Sequence, residues 1–181
     1  IFVSSFNRPN LHSGVRPKYD TLRALKTLLA SHADQSTIIY CFSRKDTEAL
    51  AQELSQVGFS ALPYHAGLNR DLRIRTQEQF IQDEIKIIVA TIAFGMGIDK
   101  SDVRLVVHMD MPKTLEAYYQ ETGRAGRDGQ PSDCVLFFSL ADRRKHQYFI
   151  NQIEDPREQE RCVQQLKHVI EYGQTTTCRR R

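Results

Sequence analysis

The sequence predicts an α/β domain in which a mostly parallel sheet is flanked by helices. Strand-like apolar runs alternate along the chain with amphipathic segments of helical length, a pattern typical of βαβ units. Residues 85–90 are almost continuously apolar, as expected for a strand that is covered on both faces. Polar segments follow the predicted strands, and parallel sheets bind ligands beyond the carboxyl ends of their strands. We therefore expect the functional residues to gather at one edge of the sheet, and residues 123–129 to lie there too if the helix before them runs back.

The predicted elements follow one another in a regular order. Strands are predicted at residues 11–15, 37–42, 59–64, 85–90, 103–109 and 134–138. Helices are predicted at residues 18–32 and 44–57, at 70–82 after the cap Asn69, and from about Thr114. From residue 141 the pattern changes to two charged helices that are separated near Pro156. We divide the chain into a linker with its first strand at residues 1–17, the α/β domain at 18–140 and a short C-terminal helical appendage at 141–181.

The amino-acid composition is that of an ordinary globular protein with a small positive net charge. The 181 residues are 40% hydrophobic and 26% charged, with a net charge of +3. That charge permits an anionic partner without demonstrating one. No apolar run approaches the roughly 18 residues that a membrane span needs, so no membrane partner is expected. The chain begins at Ile1 and ends on three arginines, and we expect it to be a fragment of a longer protein.

The four cysteines show no Cys-x-x-Cys spacing. Cys41 and Cys134 fall within apolar strand-like runs, where cysteine usually acts as a small buried hydrophobe. The pattern favours a reducing, intracellular compartment over a disulfide framework.

Two arginines three residues apart form a candidate anion site. Residues 118–129 read Tyr-Tyr-Gln-Glu-Thr-Gly-Arg-Ala-Gly-Arg-Asp-Gly. If this segment is helical, Arg124 and Arg127 share one face and converge on one ligand, while Gly123 and Gly126 leave that face open. Guanidinium groups suit phosphoryl oxygens because their donors form a fixed fork and their charge does not titrate. The alternative is a helix C-terminus with glycine caps and solvated arginines.

Residues 90–100 form a second candidate phosphate site. A hydroxyl at a strand end, Thr91, is followed by Gly95 and Gly97, whose backbone N–H groups can face a phosphate. Asp99 is a candidate acceptor for a ribose hydroxyl, and Lys100 a candidate partner for a phosphate. The alternative is a tight turn followed by a solvated ion pair. No Gly-x-x-x-x-Gly-Lys-Ser/Thr loop occurs, so this chain does not cradle a triphosphate by itself.

Two further segments carry candidates for nucleic-acid contact. Ser43 and Arg44 stand at a predicted helix start, where N–H groups, a hydroxyl and a cation meet. Ser43 is alternatively a simple N-cap. His65 follows a strand and precedes Gly67, which suits a phosphate or sugar contact, whereas a lone histidine is more often a structural hydrogen-bonding group.

Taken in order, these segments resemble a known set of motifs. Residues 38–44, 64–68, 90–100 and 118–129 resemble the motifs of the second RecA-like domain of a superfamily 2 helicase. Three stretches are closer still to the RecQ family of DNA helicases: Phe-Asn-Arg-Pro-Asn-Leu at residues 6–11, Ala-Phe-Gly-Met-Gly-Ile at 93–98, and 119–129. The resemblance covers nearly the whole chain. It implies a three-layer RecA-like fold and the second motor domain of an ATP-dependent helicase that serves DNA repair and recombination.

The resemblance also implies roles for individual residues. In that family two RecA-like domains hold ATP with Mg²⁺ between them and move 3′ to 5′ along single-stranded DNA. The first domain, which this chain lacks, carries the phosphate loop and the magnesium-binding acidic residues. By the matching motifs Arg127 is the arginine finger for the γ-phosphate, supported by Arg124 and Gln120. The nucleotide-facing residues are Asp99, Gly97 and Gly123. The residues implied to hold the DNA backbone are Ser43, Arg44, His65, Thr91 and Lys100.

The end of the chain resembles the start of the family's zinc-binding subdomain. Cys178 precedes two arginines there, as the first zinc ligand does in the family. A structural zinc site needs four ligands, so Cys178 alone does not form one. We expect zinc in the parent protein and no metal in this chain.

Two alternatives stay open at this stage. One is the second domain of another superfamily 2 helicase or translocase, such as an RNA helicase. The other is an α/β module that binds a nucleotide without motor function. The leading hypothesis implies two partners, single-stranded or duplex-junction DNA and the first RecA-like domain of the same parent chain. It places the parent in the cytoplasm or nucleoid of a bacterium, or in the nucleus of a eukaryote.

Overall fold

A parallel sheet forms the centre of the molecule. The computed structural model describes residues 8–91, 94 and 99–175. Its strands are β1 (Leu11–Pro17), β2 (Ser36–Tyr40), β3 (Ala61–Tyr64), β4 (Ile87–Ala90), β5 (Val103–His108) and β6 (Ser132–Phe138). They lie in the order β1-β6-β5-β2-β4-β3, and every neighbouring pair is parallel.

Helices follow β1, β2, β3, β5 and β6. They are α1 (Thr21–Ser31), α2 (Arg44–Gln56), α3 (Arg70–Ile81), α4 (Leu115–Thr122), α5 (Arg143–Ile150) and α6 (Pro156–Gln174), with a 3-10 turn at Leu140–Asp142. Polar caps fix where three of them begin. The side chains of Ser43, Asn69 and Thr114 each accept a hydrogen bond from the backbone N–H three residues later.

The sheet separates two apolar clusters and so makes the middle of three layers. Adjacent residues of β2 alternate between them, since Ile39 packs with α1 and α2 while Ile38 packs with Phe80 of α3 and with Ala125. Both residues are fully buried, as a strand covered on both faces requires. The predicted three-layer α/β architecture is confirmed.

The residues directly after β2, β3 and β4 lie at one edge of the sheet, as predicted for the start of each polar segment. Because the strands are parallel, their carboxyl ends meet there. Backbone bonds join these ends: Thr91 N–H donates to the Tyr64 carbonyl at 3.2 Å, and Cys41 N–H donates to the Ala90 carbonyl at 2.8 Å. This carboxyl edge therefore carries Ser43, His65 and Thr91.

The prediction that residues 123–129 join the same edge is wrong. Helix α4 follows β5 and runs back across the sheet. Beyond its end, Gly126 N–H donates to the carbonyl of Val103, the first residue of β5, at 2.8 Å. The backbone of residues 123–129 therefore lies at the amino edge. The physical reason is that a helix leading from one parallel strand to the next must return the chain to the amino end.

The segment ahead of the α/β region contributes directly to the sheet. Strand β1 is one of the two edge strands, and it pairs with β6 from Leu11–Ser132 to Pro17–Phe138. At the other end of the chain, α5 and α6 pack around Met111, Ile150, Leu166 and Val169. The domain limits proposed at residues 17 and 140 stay a prediction.

Partly buried ion pairs fasten the appendage to the carboxyl edge. The Asp110 carboxylate lies 2.7 Å from the Lys18 ammonium and 2.8 Å from that of Lys145, and it accepts the Phe42 N–H at 3.2 Å. Asp142 lies 3.1 Å from Lys18. Burial raises the pKa of Asp110, but the hydrogen bonds from Lys145 and Lys18 outweigh it and leave the pKa lowered. Asp110 is therefore charged at neutral pH and joins β2, β5 and α5.

Cys41 and Cys134 are buried, as predicted for small hydrophobic residues. Burial raises the pKa of both thiols, that of Cys134 to about 12, so both stay protonated at neutral pH. Among the described residues, no helix is both long and apolar enough to cross a membrane.

Replacing Asp110 by Asn should destabilise the chain in a pH-dependent way. At pH 7 we expect the free energy of unfolding to fall by about 2 kcal/mol, because charged hydrogen bonds to two lysines are lost. The folded pKa is lowered, so this stabilisation exists above the ordinary aspartate pKa of about 3.9 and is lost as the pH falls through the lowered value. Urea unfolding at pH 7 and at successively lower pH measures the difference. Glu84→Gln, at an exposed carboxylate, is the control, and a deficit that persists in acid would contradict the assignment.

Candidate nucleotide and nucleic-acid sites

The two arginines lie in a loop rather than on a helix. Helix α4 ends at Thr122, and Gly123 is its C-cap. Residues 123–129, called the arginine loop below, form successive turns in which Gly126 has a φ of +53°. The expectation that Arg124 and Arg127 share a helix face is therefore wrong. Gly123 keeps right-handed dihedrals, with φ at −62° and ψ at −6°, so the helix ends one residue before the pair without a left-handed glycine cap.

The arginine loop is fixed to the amino edge by backbone bonds and an ion pair. Besides the bond from Gly126 to Val103, Asp128 N–H donates to the Ser101 carbonyl at 3.2 Å. The Asp128 carboxylate pairs with the Arg104 guanidinium, which lowers the pKa of Asp128. The loop is thus attached to β5 on both sides of Arg127.

The guanidinium groups of the loop lie close to Asp99 and Tyr40. The Arg127 side chain is 38% exposed, and its Nη1 lies 3.6 Å from an oxygen of Asp99, which is 97% exposed. Arg124 hydrogen-bonds the Tyr40 hydroxyl, and the charge of Arg127 also acts on that group. Burial raises the pKa of Tyr40 despite both arginines, so the hydroxyl stays protonated and donates to the Phe94 carbonyl at 3.3 Å. The predicted grouping of Asp99, Arg124 and Arg127 is therefore present.

This arrangement suits a nucleotide chemically. Two guanidinium groups offer donors to phosphoryl oxygens, and the exposed Asp99 carboxylate offers an acceptor to a hydroxyl. Gln120 is exposed in the last turn of α4, ahead of Arg124. Gly123 donates its N–H to the Tyr119 carbonyl at 2.9 Å, and a side chain there would collide with that same oxygen.

A buried pair that the sequence analysis did not identify supports the end of α4. His108 Nε2 lies 2.7 Å from Glu121 Oε2, and both side chains are buried. The Tyr40 ring stacks on His108 with a centroid distance of 5.0 Å. Arg124 is thereby connected through Tyr40 and His108 to Glu121. The spacing of these residues in the sequence gives no indication of this arrangement, which β2, β5 and α4 create together.

Ser43 and Arg44 lie at the carboxyl edge, where the sequence predicts a nucleic-acid contact. Ser43 Oγ accepts the Asp46 N–H at 3.1 Å, so its alternative interpretation as an N-cap is confirmed. Arg44 is exposed at the first position of α2. A Cβ at Gly67 would lie 3.0 Å from Arg44 Nη1, so glycine at this position is what lets the guanidinium lie against the backbone.

His65 is a positioning residue in this geometry. Its side chain is only 3% exposed, and both ring nitrogens are engaged. Nδ1 accepts the Gly67 N–H at 3.2 Å, so Nε2 carries the proton and donates to Glu48 at 2.9 Å. His65 thus holds the backbone of Gly67 and the side chain of Glu48, a residue that the sequence analysis missed, and its contact with nucleic acid stays a prediction. We call Ser43, Arg44, Glu48, His65 and Thr91 the carboxyl-edge cluster.

Lys100 is placed apart from that cluster. Its ammonium is buried near the amino edge, 3.0 Å from Asp83 and 3.1 Å from Asp102, and 5.5 Å from the centre of the Phe80 ring. The structure therefore does not bring Lys100 together with Ser43, Arg44, His65 and Thr91. Two carboxylates already compensate its charge, which gives Lys100 a structural role. Its contact with nucleic acid stays a prediction.

Three candidate residues, Gly95, Gly97 and Cys178, lie outside the described residues. Within the described ranges, no group of three or more histidine, cysteine or acidic side chains is placed to hold a metal ion. The Cys162 thiol is half-buried on α6 and lies 3.8 Å from Glu158.

A family model and two similar proteins all relate this chain to helicases. Residues 20–129 match the model of the helicase conserved C-terminal domain. The chain is 42% identical over 181 residues to the ATP-dependent DNA helicase RecQ of Haemophilus influenzae, covering 99% of this chain and 29% of that protein. It is 47% identical over 182 residues to the ATP-dependent DNA helicase hus2/rqh1 of Schizosaccharomyces pombe, covering 98% of this chain and 14% of that protein. It thus spans less than a third of either relative.

A solved structure supports the same assignment at the level of the fold. The DEAD box protein of the hyperthermophile Methanococcus jannaschii superposes with a TM-score of 0.66 at 26% identity, over 80% of this chain and 40% of that one. The parallel sheet between two helical layers is accordingly a RecA-like fold. The chain belongs to the family of helicase conserved C-terminal domains and is of the RecQ type.

Proposed function

We propose that this chain is the second motor domain of an ATP-dependent 3′–5′ DNA helicase. It supplies the arginine finger for ATP hydrolysis and contacts to the backbone of single-stranded DNA, and it is inactive without the first RecA-like domain. One observation carries the proposal. The partly exposed Arg127 lies beside Asp99 and near Arg124 in a chain that has no phosphate loop of its own.

Arg127 acts on a phosphoryl group that the partner domain presents. When ATP arrives, its γ-phosphoryl oxygens replace Asp99 as the acceptor for the Arg127 guanidinium. A positioned arginine finger accelerates phosphoryl transfer by about 10³ to 10⁵. Arg124, held by Tyr40, adds a second cation, and Asp99 accepts a hydrogen bond from the ribose. Gln120 contacts the same domain interface.

The metal ions belong to other parts of the parent protein. Mg²⁺ prefers several oxygen ligands in octahedral geometry. The described residues offer no such group, so no step of this proposal passes through Mg²⁺ on this chain. The first domain holds Mg²⁺ together with the triphosphate. Cys178 supplies one thiolate of a zinc site whose other ligands lie elsewhere in the parent.

The carboxyl-edge cluster binds the phosphates of single-stranded DNA. Arg44 offers a charged fork, and the start of α2 offers backbone N–H groups. His65 and Glu48 hold the turn that carries Gly67, and the Thr91 N–H bonds the neighbouring Tyr64 carbonyl. The backbone of the arginine loop lies at the opposite edge of the sheet. The nucleotide group and the DNA group therefore share no residues, and closure of the two motor domains on ATP moves the DNA contact through the body of the domain.

Arg127→Ala in the full-length helicase should abolish DNA unwinding. We expect kcat for DNA-stimulated ATP hydrolysis to fall by about 10³ or more, because the guanidinium acts mainly in the transition state. The Kd for ATP should stay within a few-fold of the parent value, since the phosphate loop lies in the first domain. Steady-state ATPase assays and nucleotide titrations measure both quantities.

Arg16→Ala is the matched control, because it removes an exposed arginine from β1 outside the site. Normal unwinding by the Arg127 variant would show that the finger is misassigned. The isolated chain should hydrolyse no ATP, and robust turnover by it would overturn the split active site. Such turnover, or nucleotide binding without any motor activity in the full-length protein, would instead favour the alternative of an α/β module that binds a nucleotide without motor function.

Arg44→Gln should weaken single-strand binding and reduce its dependence on salt. The slope of log K against log salt is negative, and loss of one phosphate contact should reduce its magnitude by about 0.7. Titration of this chain with oligo(dT) between about 50 and 200 mM salt measures the slope. Lys86→Gln is the control, because it removes one positive charge next to the amino end of β4.

An unchanged slope in Arg44→Gln, or an equal loss in Lys86→Gln, would contradict a contact at the carboxyl edge. An oligo(rU) of the same length separates DNA from RNA preference. Markedly tighter RNA binding would favour the alternative of an RNA helicase, because only RNA offers a 2′-hydroxyl.

A further inference from the structure

We propose that Arg8 and Asn10 are positioning residues that clamp the arginine loop and set where Arg127 is presented to ATP. This inference rests on the proposed role of Arg127 as the arginine finger. The clamp itself consists of contacts between described residues and is testable without any activity.

A single guanidinium holds three carbonyls of the arginine loop. Arg8 Nη2 donates to the carbonyls of Ala125 at 2.8 Å and Gly126 at 2.6 Å, and Nη1 donates to that of Gly123 at 3.3 Å. The planar fork of arginine makes this simultaneous contact possible, whereas the single ammonium of lysine does not reproduce its geometry. Arg8 therefore links the end of α4 to the residue that precedes Arg127.

Asn10 holds the other side of the same turn. Its Nδ2 donates to the carbonyls of Gly126 and Gln130, both at 2.9 Å. Arg8 Nε lies 3.4 Å from Asn10 Oδ1, which orients the amide so that its nitrogen faces the loop. The Asn10 carbonyl accepts the N–H of Ser132 at 2.9 Å, which ties the clamp to the start of β6.

Gly126 is the residue on which these contacts converge. Its carbonyl accepts from Arg8, from Asn10 and from the Gly129 N–H. A Cβ at this position would lie 2.6 Å from Asn10 Nδ2, so only glycine allows the clamp to close this tightly. The next residue is Arg127. The clamp thus acts on the peptide bond between Gly126 and Arg127, the proposed arginine finger.

The clamp explains how a loop without regular structure holds a catalytic group in place. A misplacement of about 1 Å in a reacting geometry costs about 100-fold in rate. Arg8 and Asn10 stand immediately before β1, so a displacement of this segment is transmitted to Arg127 through the carbonyls of residues 123–126. They act through the loop and touch neither ATP nor DNA.

The first test measures the clamp in this chain alone. Arg8→Ala should accelerate hydrogen exchange of the Gly126 and Asp128 amides by at least about tenfold, because the loop loses its side-chain donors. Arg16→Ala, which shortens an exposed arginine of the adjoining strand, should leave these amides unchanged. Arg8→Lys keeps the charge and should give an intermediate rate, so it serves as the test if the alanine variant does not fold. Unchanged exchange in the folded Arg8 variants would overturn the clamp.

The second test measures positioning in the full-length helicase. Arg8→Ala and Asn10→Ala should each lower kcat for DNA-stimulated ATP hydrolysis by about 10- to 100-fold while KM for ATP stays within about twofold, since the loss falls on the transition state. A rise in KM with unchanged kcat, or no kinetic effect despite faster exchange, would overturn the positioning role.

The Arg127→Ala variant separates the arginine-finger hypothesis from the hypothesis that Arg8 and Asn10 position Arg127. If Arg127→Ala keeps its kcat, the arginine finger and the positioning role that depends on it both fail, while the exchange result still decides whether the clamp exists. If Arg127→Ala loses kcat and Arg8→Ala does not, the arginine finger stands and the positioning role alone fails.

Discussion

The parallel arrangement of the sheet determines where every candidate ligand group lies. Because each strand runs the same way, the carboxyl ends of β2, β3 and β4 bring Arg44, His65 and Thr91 to one edge. Each connection must then return the chain to the opposite edge, and α4 delivers the arginine loop there. One topological constraint thereby separates the proposed nucleotide group from the proposed nucleic-acid group within a single domain.

Burial distinguishes the charges that hold the fold from those that remain available to ligands. Lys100 between Asp83 and Asp102, and Asp110 between Lys18 and Lys145, are paired at the two edges of the sheet, where their charges are compensated within the protein. Arg44 and Arg127 are more exposed than Lys100, Asp110 or Lys18. The fully exposed Asp99 lies opposite Arg127 at 3.6 Å and forms a weak surface pair that an anionic ligand can replace.

Hydrogen bonds from neighbouring side chains give both sites their rigidity. At the carboxyl edge the two nitrogens of His65 connect Glu48 to the Gly67 backbone, and Arg44 lies against that glycine. At the amino edge Arg8 and Asn10 bond the carbonyls of a loop that has no helix or strand of its own. In both places the residue proposed to meet the ligand is positioned by another that does not.

The sequence by itself determined the element order, the three-layer architecture and the identity of most candidate residues. Apolar periodicity and capping chemistry are local properties, so α2, α3 and β4 were predictable, and so was the pair Arg124 and Arg127 through its motif. Only the tertiary structure decided the arrangement of these residues. The amino-edge position of the arginine loop, the pairing of Lys100 and the clamp by Arg8 all depend on contacts between residues distant in sequence. Such contacts arise when the sheet assembles, and no local pattern of the chain encodes them.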